Sequence, residues 1–176
     1  YGPQGTGLLL CARLPKSLMQ GGTGSQSALA QMPDTLPDRA EAGTHNMPGI
    51  AGLRAGLEFV EKKKPKKIFA HEHSLMEYAA GELTRLDRVR VFVSEYGFCQ
   101  SGVLSFTVEK MDCETVGEEL AKRNIAVRAG LHCAPLAHKT AGTFETGTVR
   151  VSFSVFNTKG HVRALVDALE EIIRKR

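Results

Sequence analysis

The stretch Arg128-Ala129-Gly130-Leu131-His132-Cys133-Ala134-Pro135-Leu136-Ala137-His138 sets a cysteine beside a histidine, with an arginine and a second histidine a few residues away. A thiolate, not a thiol, is the reactive form, and neighbouring cations raise the thiolate fraction. The stretch lies between two expected strands, so Cys133 is a candidate nucleophile on an accessible loop. The competing reading is a small buried hydrophobe, which is what most free cysteines are. That second reading holds for Cys11, in an apolar run, and for Cys113, at a helix start, whereas Cys99 in a glycine-rich turn stays open.

Arg150 is the other outlier, in the strand-like run Thr148-Val149-Arg150-Val151-Ser152. A guanidinium inside a strand needs an anionic partner, and its planar fork matches a carboxylate. Either it grips a carboxylate substrate or it pairs with an acid of its own chain. His132, Cys133 and His138 do not read as a metal set, because adjacent residues in an extended loop point opposite ways. No metal is expected. His71 and His73 share an expected helix at a spacing that puts them on different faces, as surface residues. Two small-residue loops, Gly21-Gly22-Thr23-Gly24-Ser25 and Ala42-Gly43-Thr44-His45-Asn46, offer backbone amides to an anion. The second also precedes a helix N-terminus that favours phosphate.

The elements that must carry these residues follow from periodicity. Leu8 to Ala12 reads as a short buried strand. Residues 20–49, rich in Gly, Pro, Ser, Thr and Asp, read as a long loop, functional or linking and expected to be mobile or packed on a partner. Pro48 opens a helix that buries Ile50, Leu53, Leu57 and Val60, while Gly49, Gly52 and Gly56 imply close packing against another backbone. A second helix runs from about Lys66 to Leu86 with Phe69, Leu75, Met76, Ala79, Leu83 and Leu86 as its stripe. Strands follow at Arg88 to Ser94, with Val89, Val91 and Val93 inward, and at Val103 to Glu109. Asp112 caps a helix ending near Arg123-Asn124. Ile125 to Arg128 is a third strand, Gly130 to Gly147 a loop, Thr148 to Ser152 a fourth strand, and Thr158 to Ile173 a final helix. That order describes a small α/β sandwich with helices on one sheet face.

Composition agrees with a folded chain. Its 176 residues are 42% hydrophobic and 24% charged, which excludes a disordered tail, a collagen-like repeat and a coiled coil. No apolar run approaches the roughly 20 residues that cross a bilayer, and no cleavable leader opens the chain. A start at Tyr1, inside a glycine-rich turn, suggests a piece of something longer. Net charge is +4, and five lysines crowd Lys62-Lys63-Lys64-Pro65-Lys66-Lys67. Without interleaved aromatics these read as a solvated helix end rather than a nucleic-acid or membrane patch. Four widely spaced cysteines imply reduced thiols in a cytoplasmic protein.

Five segments taken in order carry a family resemblance: Tyr1-Gly2-Pro3-Gln4-Gly5-Thr6-Gly7, Gly21-Gly22-Thr23-Gly24-Ser25, Glu41 to Ile50, Arg128 to Cys133, and Thr148 to Ser152. Together they resemble the C-terminal part of the cysteine desulfurases, class V aminotransferase-fold enzymes that use pyridoxal phosphate. The resemblance implies the fold-type I arrangement: residues 1–60 as the end of the cofactor-binding large domain, and 61–176 as the small C-terminal α/β domain of a homodimer. It implies that Cys133 accepts sulfur as a persulfide, that Arg150 holds the substrate α-carboxylate, and that Arg128 serves the active site. Gly43 and Thr44 would reach across the dimer to the cofactor phosphate. The cofactor, as electron sink, lets a thiolate take the substrate sulfur and release alanine. The cofactor-bonding lysine of that family falls upstream of Tyr1, so this chain alone is expected to be inactive, working as part of a longer polypeptide or with a separate N-terminal half. A sulfur-acceptor protein is a further expected partner. The same fold also admits a transaminase, a selenocysteine lyase, an epimerase, or a domain kept only for dimerisation.

Overall fold

A computed structural model describes residues 1–94 and 100–175; Cys99 lies outside the described residues. The chain divides into two compact units, Tyr1–Lys63 and Lys64–Arg176.

In the first unit the one regular element is helix α1 (Met47–Lys63). Its glycines do the packing: a Cβ on Gly56 would stand 2.4 Å from the Tyr1 carbonyl oxygen, and one on Gly52 2.9 Å from the Pro3 ring. The expected close backbone approach is therefore real, and its partner is the Tyr1–Pro3 segment. The expected apolar face is not the buried one. Ile50 and Leu57 are exposed, because the helix turns its small residues inward to admit a passing chain. Leu8 to Ala12 is likewise no strand, and Leu10 is 92% exposed. Among the described residues no neighbouring strand pairs with it, and an unpaired apolar run has no ladder to hold it. Cys11, expected buried, is exposed with it. Residues 20–49 are irregular up to the start of α1, knitted by polar contacts rather than by a core. Ser25 Oγ donates to Asp38 Oδ2 at 2.7 Å, Gly43 N to Gly22 O at 2.8 Å, and Arg39 Nε to Pro15 O at 2.8 Å.

The second unit begins with α2 (Pro65–Thr84), with proline in its first turn. The strands are β1 (Val89–Phe92), β2 (Val103–Val108), β3 (Arg128–Gly130) and β4 (Thr148–Ser152). They form one antiparallel sheet in the order β1-β2-β4-β3. Helices α3 (Cys113–Ala121) and α5 (Lys159–Arg174) join α2 on one face of the sheet. Alternation explains the layer: Leu104, Phe106 and Val108 of β2 and Val149 and Val151 of β4 point into the helices. Leu83, Val116, Leu120, Val162 and Leu169 complete the core from the helical side. The α2 stripe is mostly as expected, except that Phe69 is exposed and Ile68 is buried instead. Val93, expected inward, is exposed beyond the end of β1. Phe106, fully enclosed at the centre, is the largest such side chain. Phe106→Ala should cost about 3–5 kcal/mol of unfolding free energy, read by denaturant titration.

Asp112 caps α3 as expected, its Oδ1 accepting from the amides of Glu114 and Thr115, each at 2.9 Å. Asn124 ends that helix region at φ +60°. Glu119 and Glu171, both held at about 2 by hydrogen bonds from Lys122 and Arg123 or from Arg123 and Lys175, tie α3 to α5 across the surface. The third strand begins three residues later than expected. Ile125 N is still bonded back to Leu120 O at 3.0 Å, so ladder pairing starts only where Arg128 meets Arg150. The expected loop Gly130 to Gly147 contains a short helix, α4 (Pro135–Ala141), which Gly142 closes at φ +69°.

Candidate active site

The sheet face away from the helices carries the candidate arginines. Across it, Arg128 of β3 lies opposite Arg150 of β4, and Arg150 lies opposite Ser105 of β2. Directly opposed residues in an antiparallel pair project to the same side, with Cβ atoms roughly 5 Å apart. Two guanidiniums therefore share one patch, an arrangement that like-charge repulsion disfavours unless an anion belongs between or beside them. Arg150 has no ion pair among the described residues, and its Nε is buried without a hydrogen-bond partner. The alternative of a salt bridge within the chain is thereby removed for those residues. What remains is a buried donor without a partner among the described residues, of a kind that can take an anion.

Cys133 is exposed, and Arg128 Nη2 donates to its Sγ at 3.4 Å. The buried-hydrophobe reading fails for this cysteine and holds for Cys113, which is buried and whose thiol is pushed up chiefly by that burial. Ala134 N donates to Leu131 O at 2.9 Å, closing a turn whose central residues His132 and Cys133 have φ +53° and +58°. Left-handed backbone costs a residue with a Cβ about 1–2 kcal/mol. The turn follows the end of β3 and sets the thiol beside the Arg128 guanidinium.

His132 and His138 lie beneath. His132 Nε2 is 3.0 Å from Thr148 Oγ1, and His138 Nδ1 is 2.8 Å from Thr143 Oγ1. Burial first, then the neighbouring Arg150, His138 and Arg128, pushes the His132 pKa below its ordinary value. Neither threonine carried a signal in the sequence. The pairing of each hydroxyl with an imidazole depends on strand register and on the unexpected helix α4. His71 is exposed as expected; His73 is not, being mostly enclosed with Nδ1 2.9 Å from Gln100 O.

The two glycine-rich loops meet within the first unit. Gly21 to Ser25 and Gly43 to His45, with Asp38, line a cleft of about 740 Å³. Gly43 has φ +88° and open space where a Cβ would stand, so a side chain there would project into the cleft's surroundings from a strained backbone. His45 Nε2 is buried 3.5 Å from Asp38 Oδ1. Cys133, Arg128 and Arg150 are thus brought together in one unit; Gly43 and Thr44 belong to the other.

Residues 1–165 match the family model described as aminotransferase class-V. The chain belongs to the class-V aminotransferase family. Members of this family use pyridoxal phosphate. Among its class-V relatives, the chain is 33% identical over 97% of its length to a probable cysteine desulfurase of Methanothermobacter thermautotrophicus, of which it covers 44%. It is 35% identical over 98% of its length to a cysteine desulfurase of Synechococcus elongatus, covering 28% of that protein. In structure it is similar to the apo cysteine desulfurase of Thermococcus onnurineus NA1, with a TM-score of 0.79 at 33% identity over 90% of this chain and 39% of the other. The chain therefore spans less than half the length of each of these class-V relatives.

Proposed function

We propose that this chain is the C-terminal part of a pyridoxal-phosphate-dependent cysteine desulfurase in which Cys133 takes the sulfur of L-cysteine. The observation that carries the reading is the exposed thiol 3.4 Å from Arg128, which shares a sheet face with Arg150, whose buried Nε has no partner among the described residues. A carboxylate docked on the Arg150 fork leaves the rest of an amino acid to reach a thiol lifted from the neighbouring strand. The relatives named above add weight from outside the chain.

In this reading the Tyr1–Lys63 unit is the end of the large domain and the Lys64–Arg176 unit the small domain. The first unit's cleft fits a phosphate. Gly43 keeps the backbone free of a side chain, and Thr44 adds a hydroxyl next to a helix N-terminus that favours anions. Gly43 and Thr44 would serve the cofactor of the other subunit of a homodimer. Bound pyridoxal phosphate supplies an electron sink for the substrate's α-carbon. Arg150 binds and orients the α-carboxylate through a bidentate contact. Arg128 holds the Cys133 sulfur through its Nη2 at 3.4 Å and so orients it toward the substrate. The thiolate forms a sulfur–sulfur bond with the substrate Sγ as the Cβ–Sγ bond breaks, and the electron pair left at Cβ takes up a proton to give alanine. The persulfide on exposed Cys133 is then open to a sulfur-acceptor protein or a small thiol. Free cysteines at Cys11, Cys113 and Cys133 fit a cytoplasmic setting.

The test is mass spectrometry of the whole cofactor-loaded enzyme after exposure to cysteine. The peptide containing Cys133 should gain one sulfur while alanine appears in equal amount. An unmodified peptide alongside turnover to another product would remove the reading.

A further inference from the structure

The turn Leu131–Ala134 has a geometry its residues do not favour by themselves. Turns with both central residues at positive φ ordinarily take Asn-Gly or Gly-Gly, yet His132 and Cys133 occupy this one. Strain of this kind persists only where the surroundings over-determine it. His132 supplies the tie: its Nε2 lies 3.0 Å from the hydroxyl of Thr148, which is buried in β4 opposite Gly130, at the end of β3. His138, with its ring 5.6 Å from that of His132 and its Nδ1 held by Thr143 Oγ1, packs against it.

Thr148 and Arg150 are two residues apart on β4 and therefore face the same way. A contact from His132 to Thr148 thus anchors the cysteine turn to the strand that carries the carboxylate-gripping arginine. We propose that His132 is a positioning residue: it clasps the turn to β4 through Thr148 and so fixes the offset between the Cys133 thiol and the Arg128–Arg150 pair. Without the clasp the turn relaxes from its left-handed geometry and Sγ leaves Arg128. What the thiol then does rests on the desulfurase reading; what holds the thiol does not.

Three variants isolate the clasp. His132→Asn keeps a residue at home at positive φ but too short to reach Thr148. Thr148→Val removes the hydroxyl and keeps a strand-suited shape, and Thr148→Ser restores the hydroxyl. In the chain itself, alkylation of Cys133 by iodoacetamide is read by mass spectrometry against exposed Cys11 as internal reference. The Cys133-to-Cys11 rate ratio should fall roughly threefold or more in His132→Asn and in Thr148→Val as Sγ loses its contact with the Arg128 guanidinium. The double variant should fall no further than either single one, and Thr148→Ser should keep the wild-type ratio. An unchanged ratio in His132→Asn, or additive losses in the double variant, overturns the clasp. In the whole loaded enzyme, His132→Asn should lower kcat roughly tenfold or more with KM for cysteine within about twofold. A raised KM with kcat intact overturns the clasp by moving His132 into carboxylate binding. If alkylation behaves as expected yet no persulfide forms on Cys133, the clasp stands and the desulfurase reading falls.

Discussion

If Cys133 is the sulfur acceptor proposed above, Cys133→Ala should abolish persulfide formation and lower cysteine turnover by roughly a thousandfold or more, with cofactor binding unchanged. The expected loss is that large because, among the described residues, no other nucleophile of comparable strength lies beside Arg128 and Arg150, and covalent capture of sulfur has no substitute step. Cys133→Ser fares no better, since an alkoxide is not available at neutral pH and a hydroxyl is a poor acceptor for sulfur. Cofactor binding should survive because the thiol's contact is with Arg128, at 3.4 Å. The checks are alanine production, mass spectrometry of the residue-133 peptide, and the absorbance of the bound cofactor. Turnover persisting in Cys133→Ala would remove this thiol as the nucleophile.

Arg150 is the second large effect, and it has a signature that separates function from stability. If Arg150 grips the substrate α-carboxylate as proposed, Arg150→Gln should lower kcat/KM for cysteine by roughly a hundredfold, mostly through KM. Arg150→Lys should recover little, since a point charge on a flexible stem cannot reproduce a planar fork. Thermal unfolding should move the other way. Arg150 sits opposite Arg128 in the β3–β4 ladder with its Nε buried and unpaired, so removing its charge relieves repulsion and an unsatisfied donor together. The melting temperature of Arg150→Gln should stay level or rise. A falling melting temperature with unchanged KM would make Arg150 a structural residue.

Much of the second unit was legible in the sequence. Alternation in Val103–Val108 and Thr148–Ser152, the Asp112 cap and the apolar stripe of the final helix are local patterns, and each predicts an element close to the observed one. Local pattern misled where the deciding partner is distant. Leu8 to Leu10 carries a strand's composition but has no strand to pair with among the described residues, and it lies exposed. Helix α1 shows an apolar stripe, yet buries Gly56 instead, because contact with the Tyr1–Pro3 segment selects for the absence of a side chain. Helix α4 was missed although Pro135 at its start and Gly142 past its end are the usual punctuation; seven residues are too few to show a period.

Residue chemistry belongs to the sequence: a cysteine among cations, an arginine inside a strand, and glycine-rich loops ahead of a helix are there to be read in one dimension. They were enough to bring Cys133, Arg128, Arg150, Gly43 and Thr44 forward as candidates. Only the tertiary structure decided between their alternatives. Strand register set Arg128 across from Arg150 and left the latter without an acid among the described residues, and two consecutive left-handed residues turned the thiol outward toward a guanidinium. Register, burial and turn handedness arise from contacts between residues far apart in the chain, such as His132 with Thr148, and no local spacing encodes them.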